Sequence, residues 1–340
     1  MLRPILPGAA AAAAVLTFGA ALQSSFASGE HIDPAAFIDQ FEATSGKYEG
    51  YRRSGAKGIC ATGEFFGTAA ARALSTATVF SGESIPVIVR FSVGGANPNA
   101  PDNVRGQRNM ALQFDLPDGE QWQMGNISAP VFGASSPHQL FALLASREPD
   151  PETGVADPDR IKSFNDANPE TLLQGRYFAS QSVPASFGSV NYWGVNGYGF
   201  VNADGVRQYG KWVFEPAGGV QGLTDDQARA MGPDFLFDEL RQRVEEDVVA
   251  FDFNFELAQP GDNVDDATVP LPEGREKVKL GTLEVTSVAE DAGGACLTIT
   301  FNPMNMPMGI VPSADPMLAA RAAPYAIALS RRLAEGARQQ

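Results

Sequence analysis

Hydrophobic and polar positions alternate with period two through most of the apolar runs of this chain, the spacing that puts every second side chain on one face of a strand. Such runs cover residues 59–67, 87–94, 110–115, 190–202, 206–215, 249–258, 280–288 and 297–301, and Gly, Asn, Asp or Pro bound them. Asn202-Ala203-Asp204-Gly205 joins two of them, and its Asp-Gly pair suits the positive φ angles of a tight hairpin. Helical spacing predicts helices over 34–45, 137–146, 158–167 and 224–246, and a C-terminal helix over 315–332. Eight strands with helical inserts predict an α+β fold built on a closed eight-stranded antiparallel β-barrel.

Arg3 precedes an Ala-rich run over 8–22, and Ser25-Phe26-Ala27 then places small residues where a signal peptidase reads. We expect an export signal over 1–27 and a single domain over 28–340, delivered to the periplasm, or secreted where there is no outer membrane. Gln23-Ser24-Ser25 interrupt the apolar run too early for a membrane anchor. Lys and Arg number 25 against 40 Asp and Glu, a formal net charge of -15, which argues against nucleic acid or an anionic membrane as partner. With only His31 and His138, a multi-histidine metal centre is excluded by count. Cys60 and Cys296 are the only cysteines, too few for a zinc site. Whether they form a structural disulfide stays open at this point. The carboxylates of 149–159 sit among prolines without a suitably spaced bidentate Glu, which describes a turn better than a calcium loop.

Chemistry first shows in the terminal helix, where Arg321 precedes Tyr325 by four residues and so shares its face. A guanidinium there favours a phenolate, and tyrosinate is one of the few protein ligands of haem iron. A tyrosine packed on a helix is the plainer reading of that spacing. In Val89-Arg90-Phe91-Ser92, period two puts Arg90 and Ser92 on one face and Val89 and Phe91 on the other. Either Arg90 enters an apolar barrel and meets an anion there, or it faces solvent and the Val-Phe face is the core.

The segments 52–58, 89–92, Arg105-Gly106 with 110–114, Pro149-Asp150-Pro151, 191–194 and Arg321-x-x-x-Tyr325 follow one another as in the haem catalase superfamily. Over nearly all of 28–340 the chain resembles the small exported branch of that superfamily, the catalase-related peroxidases. The resemblance implies a haem b held inside the barrel, with Tyr325 as proximal iron ligand and Arg321 keeping it ionised. It also implies that Arg52, Arg90 and Arg332 pair with the haem propionates, that Phe132 belongs to the distal pocket, and that Ser92 is the serine that ordinarily holds the distal histidine. The two cysteines would then lie close together. One position departs from the pattern: Gly55 stands where the family carries the distal histidine that moves the peroxide proton. A positioned acid-base group contributes about 10² to 10⁴ in rate, so its loss matters. Glycine there is also expected to open space above the iron for a bulkier hydroperoxide. Forward alignment from Gly125 makes Asn126 the distal asparagine, whereas alignment back from Pro130 selects Ile127. His138 reads as a helix-start or surface residue and His31 as part of the N-terminal tail.

The expected function is a haem peroxidase that reduces hydrogen peroxide or organic hydroperoxides weakly, with an unknown external electron donor, and a homo-oligomer is the expected assembly. The competing expectation is a non-enzymatic haem carrier or sensor; a barrel that binds an apolar ligand gives no reason to keep Tyr325 and three arginines.

Overall fold

In the computed structural model residues 32–291 and 294–338 are described, so the expected export signal and His31 lie outside the described residues. From Pro34 onward the chain forms one unit. Its barrel strands are β1 (Gly58–Gly67), β2 (Ser84–Val93), β3 (Arg108–Asp115), β4 (Gln121–Ile127), β5 (Tyr192–Val201), β6 (Arg207–Pro216), β7 (Val249–Leu257) and β8 (Lys277–Glu290). All pair antiparallel, in the order β5-β4-β3-β2-β1-β8-β7-β6, and pairing of β5 with β6 closes the barrel.

The number of strands is the expected one, but one member differs. Residues 297–301 do not form a strand: a 3-10 turn spans Ala295–Thr298 and Phe301 has a φ of 54°. Arg52 Nη2 donates to the carbonyls of Cys296 and Ile299, which a strand would commit to its ladder. Strand β4 takes the vacant place; its Trp122 and Met124 face the core while Gln121 and Gln123 made the segment look like a loop.

Helices α1 (Pro34–Ser45), α2 (Ala69–Leu74), α3 (Pro137–Ser146), α4 (Pro158–Ala167), α5 (Leu172–Ser180), α6 (Asp225–Ala230), α7 (Phe235–Glu246), α8 (Pro316–Ala320) and α9 (Ala322–Gly336) surround it. The predicted 224–246 helix is two, α6 and α7, split at Met231-Gly232-Pro233, because proline lacks the amide and clashes with the preceding turn. The terminal helix is likewise two, parted at Arg321.

Period two sends Val87, Val89 and Phe91 of β2, Met110, Leu112 and Phe114 of β3, and Phe251, Phe253 and Phe255 of β7 into the interior. Phe65, Phe114, Trp122 and Phe253 are fully buried there, and Phe214 stacks on Phe253 with ring centroids 4.2 Å apart. Each such ring contributes about 1.5–3 kcal/mol by burial. A barrel filled with aromatic side chains has no space for a haem, so the expectation of a cofactor inside it is corrected.

A second, smaller core lies on the opposite face of the same strands. Cys60, Cys296, Ile299 and Phe301 form it, with Ile88 and Ala111 packed against them. Cys60 and Cys296 are joined in a disulfide across 236 positions, which bolts the segment after β8 to β1. Helix α9 packs against α1, and Arg53 pins it by donating to Glu335 through both terminal nitrogens.

Candidate haem site on the outer face of the barrel

Tyr325 lies in the first turn of α9 and Arg321 just before it. Arg321 Nε donates to the Tyr325 hydroxyl at 2.8 Å, and Nη2 donates to the same oxygen. Its remaining nitrogen, Nη1, donates to Asn196 Oδ1 at 3.3 Å, and Asn196 Nδ2 donates to Asp315 Oδ2 at 2.8 Å. Burial pulls the Arg321 guanidinium down, yet the Tyr325 and Tyr198 phenols outweigh it and the net direction is up. Gly125 on β4 makes the arrangement possible: a Cβ there would stand 3.2 Å from Arg321 Nη2. The result is one phenol oxygen that accepts two hydrogen bonds from a single guanidinium.

Three arginines meet beside this pair. Arg52 is pushed down to about 8 by burial and then by repulsion from Arg90 and Arg332, with Asp291 and Tyr325 acting in the opposite direction. Burial and Arg90 lower Arg332 to about 10 in the same way. Among the described residues Asp291 is the carboxylate whose charge acts on all three, and it accepts from Arg90 Nε at 2.8 Å and Nη2 at 2.7 Å. Arg332 Nη2 donates to the Leu297 carbonyl at 2.6 Å, while its buried Nε has no partner. Three cations against one carboxylate leave two positive charges out of water, an arrangement that a dianion stabilises. Gly58 makes room for the cluster, since a Cβ there would fall 2.2 Å from Arg90 Nη2.

These observations test the fit of a haem on residues rather than on likeness. A phenol oxygen that accepts twice from one guanidinium matches an iron ligand, and the unbalanced arginines with an orphaned Nε match two propionates. Tyr325, Arg321, Arg52, Arg90 and Arg332 would hold the group.

Arg90 follows neither of its two sequence readings. Val89 and Phe91 are the core, and Arg90 is nevertheless buried, 4% exposed, on the outer face under the segment after β8. Ser92 shares that face, and Cα register sets it opposite Asn109, which is opposite Ile127. Gly55 has a φ of 64°, and a Cβ on it would lie 2.8 Å from Ser92 Oγ, 3.5 Å from Asn109 Nδ2 and 3.6 Å from Arg90 Nη1. A side chain at this position would therefore press on the Ser92 hydroxyl.

Asn126 faces the wrong way for a pocket residue. It is paired with the core residue Met110, its Nδ2 donates to the Met110 carbonyl at 3.0 Å, and its Oδ1 accepts from Trp212 Nε1 at 2.8 Å. A shift of one residue along a strand changes the face, and Ile127 is the β4 residue that shares the face of Ser92. Phe132 sits half-buried in the loop after β4, with its amide bonded to the Ala267 carbonyl. His138 is exposed in the first turn of α3. Sequence reasoning passed over Asn109, Asn196 and Asp291, none of which stands out until its neighbours in space are known.

The family model for catalase matches residues 35–340. A catalase-related peroxidase of Synechococcus elongatus is 36% identical over 323 residues, 95% of this chain and 95% of that one. A catalase-related peroxidase of Mycolicibacterium paratuberculosis is 30% identical over 302 residues, 88% of this chain and 95% of its own. Among solved structures, catalase A from Saccharomyces cerevisiae superposes with a TM-score of 0.74 at 22% identity, covering 83% of this chain and 61% of that chain.

Proposed function

Because the chain belongs to the catalase family, we propose that it is an exported haem b peroxidase that reduces hydrogen peroxide or organic hydroperoxides with an external electron donor, and that it does so weakly. The named relatives support a haem peroxidase or catalase type of function. The observation that carries the finer reading is the meeting of the Arg321 and Tyr325 pair with Arg52, Arg90 and Arg332 on one outer face. A bound haem supplies the redox-active iron that reacts with a peroxide. Tyr325 would hold that iron, and Arg321 keeps the phenol charged by two hydrogen bonds. Arg52, Arg90 and Arg332 would pair with its carboxylates and so orient the group. Gly55 offers no atom that can take or return a proton, so turnover of hydrogen peroxide falls short by about the 10² to 10⁴ of a positioned acid-base group.

Export is supported by the signal-like N-terminus and by the Cys60–Cys296 disulfide, a bond that persists in oxidising compartments. Sequencing the mature N-terminus after expression should find residue 28 first. The function is tested by producing the protein with haem supplied and following oxidation of a phenolic donor by hydrogen peroxide and by cumene hydroperoxide. Slow donor oxidation that needs peroxide supports the peroxidase. Haem bound without donor oxidation by either peroxide favours the carrier or sensor, a reading to which the absent distal base also lends weight.

A further inference from the structure

We propose that Asn109 is the hydrogen-bonding residue of the substrate face, and that this face, which donates hydrogen bonds but moves no proton, suits the site to peroxycarboxylic acids. The inference rests on the haem reading above and names the substrate class of that same site.

Asn109 stands on β3 directly opposite Ser92 of β2, on the face that also carries Arg90. Its Nδ2 donates to Ser92 Oγ at 3.1 Å, and its Oδ1 accepts from Gln107 Nε2 at 2.6 Å. Ser92 Oγ thus accepts from Asn109, and Asn109 Oδ1 from Gln107. What remains to offer are hydrogens: the second amide hydrogen of Asn109 and the hydroxyl hydrogen of Ser92 have no acceptor among the described residues. Asn109 is only half-buried, so its amide is accessible, whereas Asn126 is spent on the barrel interior. The three nearest atoms to a Cβ on Gly55 belong to Ser92, Asn109 and Arg90. An alcohol, an amide and a guanidinium are donors, and none of them is a base near neutral pH.

Such a face stabilises negative charge on a bound oxygen but cannot protonate a departing one. Cleaving hydrogen peroxide or an alkyl hydroperoxide without an acid releases hydroxide or alkoxide, whose conjugate acids are far weaker than a carboxylic acid. A peroxycarboxylic acid releases a carboxylate, whose acid has a pKa of about 4. Loss of the acid-base group therefore handicaps the first two classes far more than the third. The overall reaction is RC(O)OOH + DH2 → RC(O)OH + H2O + D. The O-O bond breaks, the peroxy acid takes up two electrons and two protons, and a hydroquinone, DH2, gives them up and becomes the quinone D.

The test uses the full haem-loaded protein, with hydroquinone as donor, and two variants, Asn109→Leu and the nearly isosteric Asn109→Asp, each required to show the wild-type haem spectrum. Fluoride titration, read from that spectrum, reports hydrogen-bond donation independently of turnover. The wild type should prefer peroxyacetic acid to hydrogen peroxide by at least about 10² in kcat/KM. Asn109→Leu should weaken fluoride binding about tenfold or more, the usual loss for a hydrogen bond to an ion. Asn109→Asp should weaken fluoride too, while raising hydrogen peroxide turnover about tenfold or more because a carboxylate can accept the proton. Fluoride affinity unchanged in both variants, or a wild type indifferent between the two peroxides, overturns the inference and leaves the haem peroxidase standing. A wild type that takes up no haem overturns that function, and this inference with it.

Discussion

The two faces around the candidate haem position are built by opposite rules. On the α9 side every polar group is charged or tied to charge: Tyr325 to Arg321, Arg321 to Asn196, Asn196 to Asp315, with Arg52, Arg90 and Arg332 close by. On the strand side, the side chains nearest a Cβ on Gly55 are an alcohol, an amide and a guanidinium, those of Ser92, Asn109 and Arg90. Binding needs the first set and proton transfer needs a group missing from the second. The comparison separates holding a cofactor from using it, two properties that likeness to a family runs together.

The largest effect is expected where one covalent bond supports the first face. The Cys60–Cys296 disulfide fixes the segment whose carbonyls accept from Arg52 and Arg332. Cys60→Ser with Cys296→Ser should cost about 5.5 kcal/mol of stability, as loop closure of this length implies, and release haem; chemical denaturation with and without a reductant measures it. Arg53 and Glu335, 6% and 3% exposed, form the ion pair that pins α9, and Glu335→Gln should cost about 3 kcal/mol. The hydrogen bond from Arg53 holds Glu335 down at about 2 from the ordinary 4.5. Because the folded value is the lower one, this contribution is complete above about pH 4.5 and disappears as pH falls towards 2. The gap in Tm between wild type and variant should close over that window. Removing a single cation, by Arg332→Leu, should weaken haem binding about 10²-fold, since it leaves a propionate unpaired; haem titration of the apo-protein reads this, and an unchanged affinity would dissolve the charge argument.

The smallest effect is expected on the second face. Gly55→His puts a side chain at a φ of 64° and a Cβ 2.8 Å from Ser92 Oγ, which costs about 1–2 kcal/mol. Hydrogen peroxide turnover should rise by less than the ~10² that a well-placed histidine provides. A larger gain would mean that the strand face is a family pocket with one residue missing, and the contrast between the two faces would weaken.

The α9 side was legible because its residues are charged and spaced by helical period, and the same is true of the pairing of Arg90 with Ser92 on one strand face. Which side of the barrel that face would be on was not legible: alternation separates two faces, but burial of Arg90 depends on the segment after β8, over two hundred residues away in sequence. Residues 297–301 looked like a strand because Leu297, Ile299 and Phe301 are apolar at period two, yet Ile299 and Phe301 serve a small outer core around a disulfide. Asn126 was chosen over Ile127 by an alignment that one residue of register reverses. Asn109 went unnoticed because an asparagine in a strand carries no signal until its neighbour across the ladder is known.

The central claim is that Tyr325 holds haem iron on a face without a distal base. Absorption and resonance Raman spectra of the haem-loaded wild type and of Tyr325→Phe test it most directly. The account predicts ferric phenolate bands in the wild type that vanish in Tyr325→Phe, along with most of the haem affinity. Phenolate bands that persist in the variant, or a wild type that binds haem without them, would contradict it.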